Sequence, residues 1–179
     1  KGTTTDYYIW NHRLLPMIMV FAGRVDLNSV TPPTQKVWAG EGETPVVLVH
    51  TDWTWSDTDK YLGVKGGKAR SSHAHMDAGS FVYDAYGVRW SMDLGRQDYA
   101  TLEVALKALG GNLWTYTQAS LRWEVSRLNN FFHSTLTVND SKHRVEGFAT
   151  LEQTINTATE QGATFDLSPV LEDQVASAM

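Results

Sequence analysis

Short runs of β-branched and aromatic residues dominate the chain from residue 36 onward, and each run is bounded by Gly, Asp or Asn. Their length and composition are typical of strands, and the repeated turns between them favour an antiparallel sheet or sandwich. Gly87 lies between two of these runs and predicts a hairpin that pairs residues 80–85 with 88–93. The predicted strands are KVWAG (36–40), PVVLVHT (45–51), KYLGVKG (60–66), SFVYDAYG (80–87), VRWSMDLG (88–95) and HSTLTVND (133–140).

A helical pattern precedes these strands and interrupts them. Residues 6–24 predict one helix that kinks or begins anew near Pro16, and apolar residues cover much of its circumference, as in a helix packed among others. Residues 99–109 and residues 114–127 also have helical composition. Residues 150–179 are weakly patterned and predict no regular element.

The chain of 179 residues is 42% hydrophobic and 20% charged, which is the composition of an ordinary globular protein with one sizeable core. It has no apolar run long enough to predict a membrane span, and its first residues lack the layout of a signal peptide. It has no cysteine, so a metal ion would be held by His, Asp, Glu or backbone oxygen. The net charge of −5, without a nucleic-acid-binding signature, argues against a nucleic-acid partner.

One basic segment contrasts with this acidic background. Residues 60–76 contain Lys60, Lys65, Lys68 and Arg70 and no acidic residue. Such a segment is typical of a solvated loop. It also favours a patch that attracts an anionic ligand to the histidines at its end. Composition leaves both interpretations open.

These histidines belong to the first candidate site. In SSHAHMDAGS (71–80), His73, His75 and Asp77 occupy alternate positions, and alternate residues of an extended chain project to one face. Asp93 and His133 also fall on the polar faces of predicted strands. Imidazole and carboxylate ligands from separate strands suit a divalent metal ion such as zinc. A hydrogen-bonded polar edge is the alternative that the pattern leaves open.

The chain also contains seven tryptophans. Most lie in or beside the predicted sheet, where packing in the core or on a sheet face is the ordinary role of an indole ring. The alternative is sugar stacking in a cleft, because the apolar face of a pyranose fits an indole ring. The tryptophans of this region are Trp38, Trp53, Trp55, Trp90, Trp114 and Trp123.

Two longer stretches carry a family resemblance. The run VKGGKARSSHAHMDAGSFVYDAYGVRWSMDLGRQDY (64–99), followed by RLNNFFHSTLTVND (127–140), resembles the β-domain of heparinase II/III-like polysaccharide lyases. The resemblance implies an α/α toroid of helices followed by an antiparallel β-sandwich, with the active site in the cleft between them. We therefore expect residues 1–30 to be the end of the toroid, whose other helices are missing here. We expect residues 31–179 to be a partial β-sandwich, truncated at its C-terminus.

The resemblance also implies a metal site. In the family a metal ion, usually zinc, is held by the second histidine of the HxH motif, the aspartate of the WxxDLG strand and the histidine before the STL strand. One departure from the family pattern is Ser134, where many relatives carry Asn. We expect the zinc ion to brace three strands rather than to act as a Lewis acid. The matching ligands in this chain are His75, Asp93 and His133.

The activity that the resemblance implies is β-elimination on an acidic polysaccharide that contains uronic acid, in the bacterial periplasm or outside the cell. A base removes the C5 proton, the carboxylate is neutralised and an acid protonates the departing 4-oxygen. His73 matches a histidine of the catalytic cleft. Because the family's tyrosine acid/base belongs to the toroid, we expect this chain alone to be nearly inactive. The expected substrate-binding residues are Lys65, Arg70, Tyr99 and Arg127.

Two other classes of protein fit part of the pattern. A non-catalytic carbohydrate-binding β-sandwich with a structural metal ion would share the strands and the ligands. A cupin-like metalloenzyme also combines an HxH pair with a carboxylate and a later histidine. However, the chain lacks the glutamate expected shortly after that pair and the Gly-rich spacing of cupins.

Overall fold

The structure is a computed structural model that describes residues 14–54, 56–171, 174, 175 and 178. The chain divides into two compact units, with the boundary along the sequence between Pro32 and Pro33. Within the described residues, no helix is both long and apolar enough to cross a membrane.

The first unit contains helix α1 (Leu15–Ala22) and a 3₁₀ helix at Leu27–Ser29. Pro16 lies in the first turn of α1, where its missing N–H leaves no intrahelical bond unmade. Helix α1 thus begins beside Pro16, which agrees with the predicted start there. Residues 6–13 of the predicted helix lie outside the described residues, and the assignment of this unit to a helical toroid stays a prediction.

The second unit is mainly β, as predicted. Its principal sheet has five antiparallel strands, and each strand pairs with the next one along the chain. The strands are β1 (Val37–Gly40), β2 (Val46–His50), β3 (Tyr61–Lys65), β4 (Phe81–Ala85) and β5 (Val88–Ser91).

Strands β4 and β5 form the hairpin predicted around Gly87. Ala85 pairs with Val88, which leaves Tyr86 and Gly87 as a two-residue turn. Both turn residues have positive φ angles, 55° and 71°. Two-residue hairpins of this kind require that conformation, and glycine adopts it without strain. Strand β5 ends at Ser91, so the segment that carries the WxxDLG aspartate continues beyond the sheet.

A second antiparallel sheet has two strands, β6 (Thr150–Asn156) and β7 (Gln161–Asp166). The weak pattern of residues 150–179 does not predict this hairpin. Strand β7 lies against β2, and β6 lies against β1. Apolar side chains fill the space between the two sheets, as in a sandwich. They are Val37, Val47, Val49 and Phe165, with Leu62, Val64, Leu151 and Ala163 packed around them.

A second core lies under helix α2 (Tyr99–Ala108). This helix confirms the prediction for residues 99–109, and the side chain of Asp98 caps it by accepting from the amide of Thr101. Residues 114–127 form short 3₁₀ helices and turns instead of an α-helix. The 3₁₀ helices are Leu121–Glu124 and Ser126–Leu128, and a third follows at Asn130–Phe132. The buried residues of this core are Ala69, Met76, Leu102, Leu106, Leu113, Trp123, Leu128 and Val145.

The predicted strand at residues 133–140 is wrong. The amide of Phe81 donates to the carbonyl of Ser134, so the segment touches β4 at 3.1 Å. It then bends, because the amide of Thr135 donates to the carbonyl of His133 (2.9 Å) and its hydroxyl donates to the carbonyl of Ala78 (2.6 Å). The Thr135 hydroxyl, one of the polar groups that suggested a strand, is thus used for a bond to a distant part of the chain.

Candidate functional site

The loop between β3 and β4 carries the HxH motif, and it turns sharply at the first histidine. The amide of Ala74 donates to the carbonyl of Ser71 (3.1 Å), and His73 has a φ angle of 63°. A left-handed conformation at a non-glycine residue is uncommon and reverses the direction of the chain locally. His73 therefore does not have the extended conformation that would project it to the same face as His75 and Asp77.

The other two residues, His75 and Asp77, lie together with His133. One ligand atom from each of these side chains lies within 4.8 Å of the other two. Met76, between His75 and Asp77, is buried in the core at 1% exposure. Asp93 adjoins this group, because its carboxylate contacts Nδ1 of His133. The structure thus groups two of the three expected ligands, His75 and His133, with Asp77, and it places the third, Asp93, against His133. We call these four residues the ligand cluster.

The hydrogen bonds of His133 show whether the ligand cluster suits a metal ion. Its ring is buried, and Nε2 lies 3.1 Å from the backbone carbonyl of Arg127. A carbonyl only accepts, so Nε2 carries a proton and donates it. Nδ1 faces the Asp93 carboxylate, and either a proton or a metal ion between the two atoms satisfies both of them. This arrangement, with the distal N–H bound to a carbonyl, fits a metal-ligating histidine.

Burial and neighbouring charges set the protonation of the ligand cluster. Burial lowers the pKa of His75, the Asp77 carboxylate opposes this shift and His133 reinforces it. Burial by itself would raise the pKa of Asp93, but hydrogen bonds from His133 and from the amide of Gly95 hold it below its usual value. A neutral imidazole and an ionised carboxylate are the forms that bind divalent metal ions.

Lys65, an expected substrate-binding residue, pairs with Asp77. Its ammonium group donates to both carboxylate oxygens at 2.8 Å. The two side chains are 30% and 17% exposed, so the pair is partly shielded from solvent. The structure therefore places Lys65 beside the ligand cluster, where it compensates one of the two carboxylates.

Two expected substrate-binding arginines also have protein partners. Arg127 donates to the carbonyls of Leu94 and Arg96, and these bonds hold the turn that follows Asp93. Arg70 forms an ion pair with Glu146, in which the side chains are 56% and 54% exposed. Exposed pairs are weak, typically about 0–1 kcal/mol, so Arg70 stays accessible to an anionic ligand.

His73 and Tyr99, both expected in the cleft, lie together at the surface. Nδ1 of His73 is 3.0 Å from the Tyr99 hydroxyl, within hydrogen-bonding distance. The two rings are stacked, with 5.5 Å between their centroids and an interplanar angle of 27°. An imidazole and a phenol in this contact can pass a proton between them.

The sequence gives no signal for the role of Arg122, which holds the HxH backbone. Its side chain is 1% exposed and donates to two carbonyls, one of them that of Ala74, between the two histidines (2.7 Å). Its guanidinium also lies over the rings of Tyr116 and Trp123. The Tyr116 hydroxyl in turn accepts from the amide of His73 (3.0 Å). A buried arginine therefore fixes the turn that separates the two histidines.

A groove of about 330 Å³ gives solvent access to the ligand cluster. Asp77, Asp93 and Lys65 form part of its wall, and apolar side chains of β2 to β4, among them Leu48 and Val82, form much of the rest. The groove on this face of the main sheet thus extends to the carboxylates of Asp77 and Asp93.

This fold and site define a mainly β domain in which a cluster of potential metal ligands adjoins an exposed histidine–tyrosine pair. Residues 42–167 match the model of the family described as Heparinase II/III-like, C-terminal. The match covers most of the chain and every residue of the ligand cluster, so the chain belongs to this family. A search of curated protein sequences found no match.

Proposed function

We propose that this chain is the β-domain of a lyase that cleaves an acidic, uronic-acid-containing polysaccharide by β-elimination. The observation that carries the proposal is the exposed pair of His73 and Tyr99, 3.0 Å apart. The pair lies in a heparinase II/III-like domain, and His73 is two residues before His75 of the ligand cluster, on the same loop. Family membership also supports a location in the bacterial periplasm or outside the cell.

β-Elimination transfers the C5 proton of the uronate to a base, forms the C4–C5 double bond and breaks the bond from C4 to the leaving oxygen, which takes up a proton. When Nδ1–H of His73 donates to the Tyr99 oxygen, Nε2 keeps a lone pair that can accept the C5 proton. Tyr99 then stabilises the imidazolium that forms. The resemblance assigns the acid for the leaving oxygen to the helical domain, so we expect residues 1–179 alone to be nearly inactive.

The C5 proton is weakly acidic, so the negative charge that develops on the uronate carboxylate must be compensated. A single well-placed donor contributes about 3 kcal/mol to such charge stabilisation. The resemblance assigns this role to a residue of the helical domain. Arg70, whose guanidinium is more than half exposed and only weakly paired with Glu146, is suited to binding the anionic chain.

We propose zinc as the metal ion of this family site, held by His75, Asp93 and His133. Two imidazoles and a carboxylate are a donor set that zinc prefers, and the chain has no thiolate to compete. When bound, the ion would supply a rigid link between three distant segments of the chain. The residues around it orient the ligands, since the Arg127 carbonyl fixes the ring of His133.

The test uses the complete natural protein with heparan sulfate, alginate and chondroitin. We expect ultraviolet absorbance of the C4–C5 unsaturated uronate to appear with at least one polysaccharide, and to be lost in His73→Ala. Arg89→Ala serves as a control, because Arg89 pairs with Asp84 on the exposed β4–β5 hairpin. Binding without product for all three polysaccharides would reject the lyase and favour a non-catalytic carbohydrate-binding β-sandwich.

A further inference from the structure

A groove leads away from His73 along Trp114, and the proposed reaction does not use it. Its first part is a cavity of about 400 Å³, lined by Ser72, Trp114 and Tyr116 among others. Its second part is a cavity of about 460 Å³ that reaches Arg144. Arg70 and Thr117 line both cavities, so the two are neighbours on the surface. Each volume lies in the range of sites for small ligands. We call the two cavities together the Trp114 groove.

Trp114 presents an oriented aromatic surface in this groove. Its side chain is 41% exposed, whereas the core tryptophan Trp123 is fully buried. The indole N–H donates to the carboxylate of Glu103 (2.6 Å), which fixes the ring. His73 and Tyr99 each meet the indole edge-on, at 5.2 Å between centroids and an interplanar angle of 77°. An exposed, fixed indole beside the catalytic pair suits a pyranose ring, which is apolar on its faces.

Tyr116 connects the groove to the backbone of His73. Its hydroxyl accepts from the amide of His73 (3.0 Å), and its ring lies 4.5 Å from the guanidinium of Arg122. Arg122 also binds the carbonyl of Ala74, the next residue along the chain. A sugar in the groove would therefore lie in a fixed position relative to His73.

The end of the groove that is distant from His73 is basic. Among the described residues that line this cavity, Arg70 and Arg144 contribute guanidinium groups and Glu146 contributes a carboxylate. Glu146 pairs with Arg70 at the surface, where an anionic ligand can displace it at low energetic cost. Guanidinium groups bind carboxylate and sulfate in bidentate geometry, so the shared chemistry of the ligand is an anionic sugar.

We propose that the Trp114 groove is a subsite for an anionic sugar residue, next to the residue that reacts at His73. This proposal rests on the proposed lyase function for the identity of the polymer. The subsite stacks a pyranose ring on Trp114 and binds its carboxylate or sulfate through Arg70 and Arg144. Oligosaccharides that extend to Arg144 therefore bind more tightly than those that end at His73.

Titration calorimetry on the complete natural protein tests the subsite. The probes are uronate oligosaccharides of increasing length, in an unsulfated and a sulfated series, and His73→Ala in every protein prevents turnover. The groove variants are Trp114→Ala, Trp114→Phe and Arg144→Gln. The matched controls are Trp90→Phe and Arg89→Gln, because Trp90 is 66% exposed on the same hairpin as Arg89 and neither lines the groove.

We expect Trp114→Ala and Arg144→Gln each to raise the Kd of long oligosaccharides about tenfold. Trp114→Phe keeps an aromatic ring, so it tests the groove even if Trp114→Ala does not fold. We expect Trp114→Phe to lose less affinity than Trp114→Ala. Short oligosaccharides and control variants should be unaffected. A loss in both series identifies the uronate carboxylate, which both series carry, as the feature recognised. A loss in the sulfated series alone identifies sulfate.

The subsite is overturned if the full-length protein binds no acidic oligosaccharide, or if groove and control variants have equal affinities for long chains. Failure of the lyase proposal gives a different result. In that case affinity would still increase with length and depend on Trp114, while the protein with His73 intact would form no unsaturated product.

Discussion

Arg122 is a buried cation whose hydrogen bonds go to backbone carbonyls, and this placement determines the geometry around His73. Burial lowers the pKa of Arg122, but an arginine remains charged at any pH at which the protein is folded. The charge is balanced by the carbonyl dipoles of Ala74 and Leu113 and by the ring of Tyr116. A residue in a 3₁₀ helix thus positions a loop almost fifty residues earlier in the chain.

Replacing Arg122 tests this role. Arg122→Met leaves two buried carbonyls without donors, and we expect the free energy of unfolding to fall by about 3 kcal/mol. Arg122→Lys keeps the charge but lacks the fork that reaches both carbonyls, so we expect an intermediate loss. Urea unfolding followed by circular dichroism measures both, with Arg89→Met as the exposed control. Unfolding energies equal to that of the control would show that the bonds contribute little.

His143 makes the stability of the domain depend on pH. Its ring is 1% exposed, Nε2–H donates to the carbonyl of Leu136 (2.8 Å), and burial lowers its pKa below the ordinary 6.5. As the pH falls, His143 therefore takes up a proton in the unfolded chain at a higher pH than in the folded chain. The contribution of the neutral ring is therefore complete above pH 6.5 and is lost as the pH falls through the lower, folded-state pKa.

The variant His143→Gln keeps the N–H donor and removes the titration. We expect its urea midpoint to fall less than that of the unmodified protein between about pH 7 and pH 5. The measurement is a series of urea unfolding curves across this range. Parallel losses of stability in the two proteins would show that His143 does not cause the dependence.

At the scale of elements, close contact between the two sheets depends on Gly66. The adjoining residue, Gly67, exchanges two backbone hydrogen bonds with Ala149 at 3.0 and 2.9 Å. A Cβ atom at Gly66 would lie 2.4 Å from the carbonyl oxygen of Ala149 and 2.9 Å from the ring of Phe165. Since the HxH loop begins here, the contact also fixes the start of that loop against the second sheet.

We expect Gly66→Ala to lower the free energy of unfolding by about 2 kcal/mol, because the sheets must separate to admit the methyl group. Gly162→Ala is the matched control, since a Cβ atom at Gly162 on β7 meets open space. Thermal unfolding of both variants measures the difference. Equal melting temperatures would show that the two sheets do not meet as closely as the structure indicates.

Elements with a strong local pattern could be predicted from the sequence, and those that depend on distant contacts could not. The strands β1 to β5 and helix α2 follow from apolar periodicity and turn residues. The segment from His133 fails as a strand because Thr135 bonds to Ala78, across the fold. The hairpin of β6 and β7 could not be predicted, because most of β6 is exposed and rich in polar residues. The alternation of apolar and polar residues that marks a strand is therefore weak.

At the scale of the whole molecule, the ligand cluster exists only in the folded chain. His75 and Asp77 come from the loop after β3, Asp93 follows β5, and His133 follows the last 3₁₀ helix. The family resemblance suffices to group three of these residues. It does not reveal that Lys65 compensates Asp77, nor that the Arg127 carbonyl sets the tautomer of His133. Such partners depend on tertiary geometry, for which the local sequence has no pattern.

The central claim is that the two histidines of the HxH motif have separate roles, His75 in a metal site and His73 in the substrate cleft. Metal content of the purified, complete protein, compared between His73→Ala and His75→Ala, tests this claim most directly. We expect His73→Ala to keep about one zinc ion per chain and His75→Ala to lose most of it, because only His75 lies with Asp77 and His133. Equal metal content in the two variants would contradict this division of roles.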